Sequence, residues 1–401
     1  VNAWAFPIIL WMNLLQTTIV FGMKPVVTLY AFSEGVTTVQ ISVIVAAYAL
    51  VPAFTAVLIG KWTDQYGIKP ISMLGNGLIF LSMMLGAFYS SFWMLVLQQT
   101  ILGVANTFCM LSQQKRVGNL GMDVDRAIAN YSLISSLGAM LGPILGTTLY
   151  EHFGYQIFCL GNAILISFAL LSGFFLGNDR ETKAVEGSQG VAIAFQEGKK
   201  ESIWGLLRNR DLRNAIIISG LVLSNRELFS AYFPLLAEKM GISPTMIGIL
   251  LAFNGFMMLV VRFWQSALVR IFGRMHVLTY SLYISGLIYL VTPISSWMAV
   301  LFVLVGVLGG GLGLGQPLSI SSVLENSPPQ RAGEVLGIRV TINRLSQFAI
   351  PLLFGGIGGL AGVSAVFWAS GMVLAFFGYA TRPLKAFTKP NTENSLPGSR
   401  D

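Results

Sequence analysis

Runs of about twenty apolar residues, repeated twelve times, constrain this chain more than any other feature. A helix rises ~1.5 Å per residue and needs about 20 apolar residues to cross ~30 Å of hydrocarbon. The runs fall at roughly 4–31, 38–60, 71–89, 92–115, 127–150, 155–177, 214–237, 245–269, 275–293, 297–323, 333–358 and 360–380. Gly355, Gly356, Gly358 and Gly359 leave almost no loop between the last two. Only 10% of the 401 residues are charged and 54% are hydrophobic, whereas a soluble domain carries about 25% charged residues. A soluble chain needs a hydrated surface, and a bilayer tolerates an apolar one. The expectation is an all-α membrane protein with twelve transmembrane helices. The chain opens on Val1 and not on Met, so its start is expected upstream. No small-residue cleavage site precedes Ser33, so the first run reads as a spanning helix and not as a signal peptide.

The basic residues orient the spans. With both termini cytoplasmic, 19 of the 25 Lys and Arg fall on the cytoplasmic side and Lys239 alone falls outside. Lys24, Arg226, Arg262, Arg339 and Arg344 lie within spans. This asymmetry obeys the positive-inside rule. It predicts a multi-pass protein of a bacterial-type inner (plasma) membrane, and it accounts for the net charge of +8 without nucleic acid. Cys109 and Cys159 sit in apolar runs and make no disulfide framework. His152 and His276 lie at loop edges far apart in sequence, and no metal-ligand spacing, nucleotide loop or nucleophile motif appears. No enzyme, metal or cofactor is therefore expected.

The longest non-spanning stretch divides the chain into an N-terminal six-helix half (1–177), a cytoplasmic linker (178–213), a C-terminal six-helix half (214–381) and a cytoplasmic tail (382–401). Asn178 to Gly190 reads as a flexible linker, Glu201 to Arg208 as an amphipathic surface helix, and the tail with Pro390 and Pro397 as disordered. The halves carry a repeat. Gly35-Val36-Thr37 matches Gly241-Ile242-Ser243 and Gly67 matches Gly273, both at an offset of 206, and Arg126 matches Arg331 at 205. A shared offset in equivalent loops predicts pseudo-symmetric halves with a cavity between them.

The loop Gly60-Lys61-Trp62-Thr63-Asp64-Gln65-Tyr66-Gly67-Ile68-Lys69 resembles the signature loop between the second and third helices of major facilitator transporters. Its glycines suit a tight turn. Asp64 can cap or pair at a neighbouring helix end, so Gly60, Asp64, Gly67 and Lys69 are expected to form a conformational gate. The second-half copy, Ser266 to Met275, has Arg270 where Asp64 stands in the first. In the fifth span, Gly138 to Gly146 is similar to the motif of the drug:proton antiporter branch, with Gly138, Gly142, Pro143 and Gly146 as its packing residues and Thr147 in place of a further glycine. These antiporters usually carry an arginine four residues before a glycine in the fourth span, where this chain has Gln99 before Gly103.

Ionisable groups within spans cost at least ~2.5–3.5 kcal/mol each and default to functional candidates. Lys24 lies 11 residues before Gly35, which places it ~16 Å deep, near the midplane. Arg226 and Glu227 come out ~21–23 Å deep, and Arg339 and Arg344 ~12 and ~20 Å from the cytoplasmic side. Arg339 and Asn343 share a helical face from which Arg344 is turned away. Lys24, Arg226, Arg339, Asn343 and Arg344 are the substrate-binding candidates, and Glu227, the sole comparably deep acid, is the proton-coupling candidate. The competing reading pairs Glu227 with Lys24 or Arg344 as a structural lock, and Arg262 reads as a snorkelling side chain. Gln16, Asn106, Gln113, Asn225, Tyr232, Asn254 and Gln316 supply polar neighbours. The resemblance and the charge balance imply proton-coupled efflux of a small amphiphilic or anionic compound, a drug-like molecule or a secreted metabolite such as a siderophore, by alternating access. Proton-coupled uptake of an organic anion is the alternative. The expected partners are that small molecule, the proton and the lipid bilayer, and the chain is expected to act as a monomer.

Overall fold

The computed structural model describes residues 5–89, 91–118, 124–176, 209–295, 297–327 and 332–382. In chain order these form α1 (Ala5–Ser33), α2 (Thr38–Tyr66), α3 (Ile68–Phe88) and α4 (Phe92–Gly118). The run Val124–Phe174 turns at Gly154, φ 77°, into α5 (124–153) and α6 (155–174). There follow α7 (Arg210–Lys239), α8 (Pro244–Phe272), α9 (Arg274–Val291), α10 (Met298–Asn326), α11 (Ala332–Ala361) and α12 (Val363–Ala380). Nine of the described helical runs are long and apolar enough to cross a membrane, and Val124–Phe174 among them supplies two crossings. α7 and α11 fall outside that set because Arg226 and Glu227, or Arg339, Asn343 and Arg344, interrupt their apolar stretches. The side-chain distribution inverts that of a soluble protein. Leu360 and Phe263 are 93% and 86% exposed while Asn76 and Gln98 are wholly buried, as a lipid surround requires.

The repeat is visible in the backbone. All positive-φ glycines of the described residues form three pairs: Gly35 with Gly241, Gly67 with Gly273, and Gly154 with Gly362. Each lies at the turn between two consecutive helices, in a conformation that a side chain makes costly. Thr37 caps α2 through the Gln40 amide, and Ser243 caps α8 through the Met246 amide at the same register. The third glycine pair went unread in the sequence.

Two expected boundaries move. α2 continues to Tyr66, past the end of its apolar run at residue 60, because hydropathy stops where lipid stops whereas the helix stops at Gly67, φ 94°. Gly60 therefore lies inside α2, with open space where a side chain would stand, and only Gly67 makes the turn. The break between the last two helices falls at Gly362, φ 84°, and not at the glycine cluster before it. Gly355, Gly358 and Gly359 instead let α11 approach Ser42, Thr38 and Val39 of α2. Arg331, the linker up to residue 208 with Glu201 to Arg208, and the tail from residue 383 lie outside the described residues.

Within the first half α1 packs on α5, and α3 packs on α4 and on α6, where Gly86 faces Cys159 and Gly173 faces Met73. Within the second, α10 packs on α8 and α9, α12 on α9, and α7 on α10 and α11. The halves meet where α2 faces α11, α5 faces α8 and α1 faces α7. Their closest approaches crowd towards the end that carries Gly35, Gly154, Gly241 and Gly362, called here the far end. The Thr245 amide donates to Glu151 Oε2 at 2.6 Å, Gly248 abuts Thr147 and Pro143, and Lys239 Nζ lies 5.7 Å from the Phe32 ring centre. At the opposite, basic end three polar pairs stay within one half: Lys115 with Asp64, Lys69 with the Phe174 carbonyl, and Arg274 with Glu325. The molecule is thus joined at the far end.

Candidate functional site

α1 and α7 come from different halves and meet at mid-depth, where Lys24 Nζ donates to Glu227 Oε2 at 2.6 Å. Their side chains are 16% and 19% exposed. Two opposite charges at that separation relieve much of the cost of removing each from water, and losing one partner would strand the other. Aromatic faces add to the cation's surroundings, with Lys24 Nζ 4.8 Å from the Phe21 ring centre and 5.4 Å from that of Tyr48. The Arg226 guanidinium lies 5.8 Å from the same Phe21 ring. Arg344 on α11 is close enough to act electrostatically on both Glu227 and Tyr48.

Two cavities flank the pair. Towards the basic end lies one of about 260 Å³, lined by Lys24, Glu227, Arg226 and Arg262 together with Phe21 and Asn254. Its ionisable lining holds three cations against one carboxylate, and Arg226 and Arg262 feel each other's charge. Towards the far end lies one of about 20 Å³, bounded by Lys24, Glu227, Tyr48 and Gln99 with Ser230 and small apolar side chains. A larger groove of about 570 Å³ between α8, α9 and α10 is lined mainly by apolar side chains such as Trp264, Leu268 and Ile284, with Tyr280 and Ser281 as its polar side chains and no Lys, Arg, His, Asp or Glu. It offers no charged group to hold an ionic ligand.

The structure brings Lys24, Arg226, Glu227 and Arg344 together and sets Arg339 and Asn343 apart. Arg339 donates from Nε to Ser319 Oγ at 3.2 Å and from a terminal nitrogen to Gln316 Oε1 at 2.6 Å, both on α10. Asn343 accepts from Ser219 Oγ of α7 at 3.0 Å. Neither lines the two cavities beside the pair. The face shared by Arg339 and Asn343 is as the spacing predicts, but it looks into the α7/α10/α11 junction. Arg262, read from sequence as a snorkelling side chain, lines the larger cavity instead. Its position inside the eighth span was the available signal.

Several polar neighbours are spent on packing. Gln113 donates to Gln16 and Gln16 to Asn76, while Ser135 donates to Asn13, a chain of buried side chains tying α1 to α3, α4 and α5. Tyr232 donates to the Pro351 carbonyl and Asn254 to that of Val305.

The gate residues separate by role. Asp64 is 72% exposed and accepts from Lys115 Nζ of α4 at 2.5 Å, so in this conformation its partner belongs to its own half. The fifth-helix motif forms the α1/α5 crossing: a side-chain carbon on Gly142 would meet the Thr18 carbonyl oxygen at 2.5 Å, and one on Gly146 the Gly22 backbone at 2.9 Å. Gly138 abuts Thr17. Pro143 accepts from Thr147 Oγ1 through its carbonyl at 2.8 Å. Thr147 has an answering small residue across the interface, since a side chain on Gly248 would strike its hydroxyl.

Comparison with known proteins agrees with this architecture. The nucleoside transporter NupG superposes with a TM-score of 0.78 over 95% of this chain and 98% of its own, at 12% identity, a likeness of fold. An uncharacterised MFS-type transporter of Methanocaldococcus jannaschii is 21% identical over 90% of this chain and 92% of its own. The quinolone resistance protein NorA of Staphylococcus aureus is 23% identical over 92% and 93%. The sequence profile described as Major Facilitator Superfamily matches residues 8–351 and 214–400. With twelve helices in two repeated halves around a charged central cavity, the chain belongs to the major facilitator superfamily of transporters, multi-pass membrane proteins that move small molecules and are not enzymes.

Proposed function

We propose that this chain exports a small amphiphilic or anionic compound in exchange for protons, by alternating access across a bacterial-type inner membrane with both termini cytoplasmic. The observation that carries the reading is the Lys24–Glu227 pair, which bridges the halves at the edge of the charged cavity. A proton on Glu227 neutralises one partner, and a substrate that engages Lys24 or Glu227 competes for the other. Either event loosens the bridge, while a carrier holding neither stays locked. Such a carrier moves when loaded with proton or with substrate, which is exchange. Arg226, Arg262 and Arg344 would attract an acidic group on the substrate, and Phe21 would face its apolar body. The likeness to NorA, named for quinolone resistance, supports efflux. Lys and Arg at the basic end support assigning that end to the cytoplasm, which makes this conformation the inward-facing one.

The same pair gives a specific argument for a second reading. An anion that takes Lys24 leaves Glu227 better neutralised, so anion and proton bind best together, and the result would be uptake of an organic anion with the proton. Direction decides between the two. In proteoliposomes with an imposed pH gradient, nalidixate, an anionic quinolone, should move against the proton flow, above the drift in protein-free vesicles. Movement with the proton flow would overturn the exchange reading in favour of co-transport.

Asp64, with Gly60, Gly67 and Lys69 around it, is proposed as a latch that gains a partner across the interface when the basic end closes. Its present pairing within one half fits an open basic end. Asp64→Asn is expected to shift cysteine labelling at both ends by about threefold, equivalent to ~0.6 kcal/mol in the conformational balance, with nalidixate affinity little changed. Unchanged labelling would remove the latch assignment.

A further inference from the structure

Gln99 on α4 is 3% exposed, and its amide Nε2 has no hydrogen-bond acceptor among the described residues. A buried donor left unsatisfied costs about 1–3 kcal/mol, so a side chain in this state calls for a partner. Gln99 lines the cavity of about 20 Å³ that also touches Glu227, Lys24, Tyr48 and Ser230. A space of roughly 10–15 Å³ by this kind of measure admits one water, provided that it offers two to four polar partners. The lining offers the Gln99 amide, the Glu227 carboxylate and the Ser230 hydroxyl. Tyr48 presents its ring to Lys24 while its hydroxyl engages Asn106.

We propose that this cavity is a binding site for a single ordered water, held by Gln99 and Glu227, and that this water forms the far-side leg of the proton path. The proposal rests on the reading of Glu227 as the proton carrier. The larger cavity meets the pair from the basic end and the small one from the far end, so the carboxylate stands between two approaches. When the far end opens, the water hands a proton to the Glu227 carboxylate and takes one from the solvent beyond it. The carboxylate becomes neutral, Lys24 keeps its proton, and the water is regenerated. Gln99 is a positioning residue in this scheme because it orients the water and does not itself titrate. The groups that bias Glu227 come from every side: Lys24 on α1, Tyr48 on α2, Arg226 beside it on α7, and Arg344 on α11.

The deciding test is infrared difference spectroscopy of the purified full chain between low and high pH, in ordinary water and in H₂¹⁸O. Wild type should show a water O–H band that moves on isotope exchange and responds to pH together with a carboxyl band. Glu227→Gln should remove the pH response of both bands. Gln99→Met, similar in length but lacking the donor, should erase the water band, and Gln99→Ser, which keeps a hydroxyl and leaves room for a second water, should retain one. No isotope-sensitive band in wild type, or its persistence in Gln99→Met, would overturn the site. In proteoliposomes Gln99→Met should slow gradient-driven nalidixate movement about tenfold with counterflow within about twofold, and a wild-type rate there would remove the water from the proton path. The infrared result needs neither substrate nor gradient. Loss of the gradient response in Glu227→Gln but not in Gln99→Met would sink the relay alone, whereas a gradient response surviving in Glu227→Gln would sink the coupling reading beneath it.

Discussion

Glu227→Gln is expected to abolish gradient-driven accumulation of nalidixate while leaving counterflow exchange within about twofold of wild type. A pH difference of one unit across the membrane is worth ~1.4 kcal/mol per proton and supports an accumulation of about tenfold if one proton moves per substrate. Removing the sole deep carboxylate of the central cavity should bring that ratio to one. Counterflow survives because exchange of substrate for substrate needs no net proton movement, only the reorientation of loaded carrier. The amide can still accept from Lys24, so the cation keeps a neutral partner and the rings of Phe21 and Tyr48. Removing one member of a buried pair commonly costs 3–5 kcal/mol, and that acceptor together with the aromatic faces should hold the loss to the lower end. Accumulation and counterflow measured on one vesicle preparation make the comparison. If accumulation in the mutant still follows the imposed gradient, Glu227 is a structural partner of Lys24 and protons couple elsewhere.

The fold was legible because two signals in the sequence are physical requirements of the membrane. Apolar run length follows from bilayer thickness, and the loop glycines at a common offset mark turns that only a residue without a side chain adopts cheaply. Helix ends were less legible, because hydropathy reports lipid contact and α2 runs six residues beyond it. The candidate site was half legible. Depth along each helix put Lys24 and Glu227 about 5 Å apart along the membrane normal, within side-chain reach, and they pair. Rotation about the helix axis was not available from depth, and this is where the placements of Arg339 and Arg262 depart from expectation. Arg339 lies at cavity-compatible depth but turns to Gln316 and Ser319, and Arg262, somewhat further from the end of its own helix, lines the cavity. The relation of Thr147 to Gly248 was also hidden, since it links residues 101 apart in sequence across the interface of the halves.

That difference in placement gives the second large effect. Arg262→Gln is expected to weaken nalidixate binding by about 10- to 100-fold, because a hydrogen bond to a charged group in a poorly hydrated site is worth about 1.5–3 kcal/mol and each ~1.4 kcal/mol is a factor of ten. Its neutral methyl ester should lose no more than about threefold, since it carries no charge for the guanidinium to meet. Arg339→Gln should do the reverse. It lies outside the cavity lining, so both ligands should bind within about twofold of wild type. Stability should fall, because Arg339 is 5% exposed and donates to Ser319 and Gln316, groups left short of a donor at about 1–3 kcal/mol each. Calorimetric binding of acid and ester to both variants, with a thermal melt of each, separates the roles. Equal losses for acid and ester in Arg262→Gln would make that residue structural, and a loss confined to the acid in Arg339→Gln would mean that the substrate path runs through the α10/α11 junction, with the cavity beside Lys24 and Glu227 serving the proton alone.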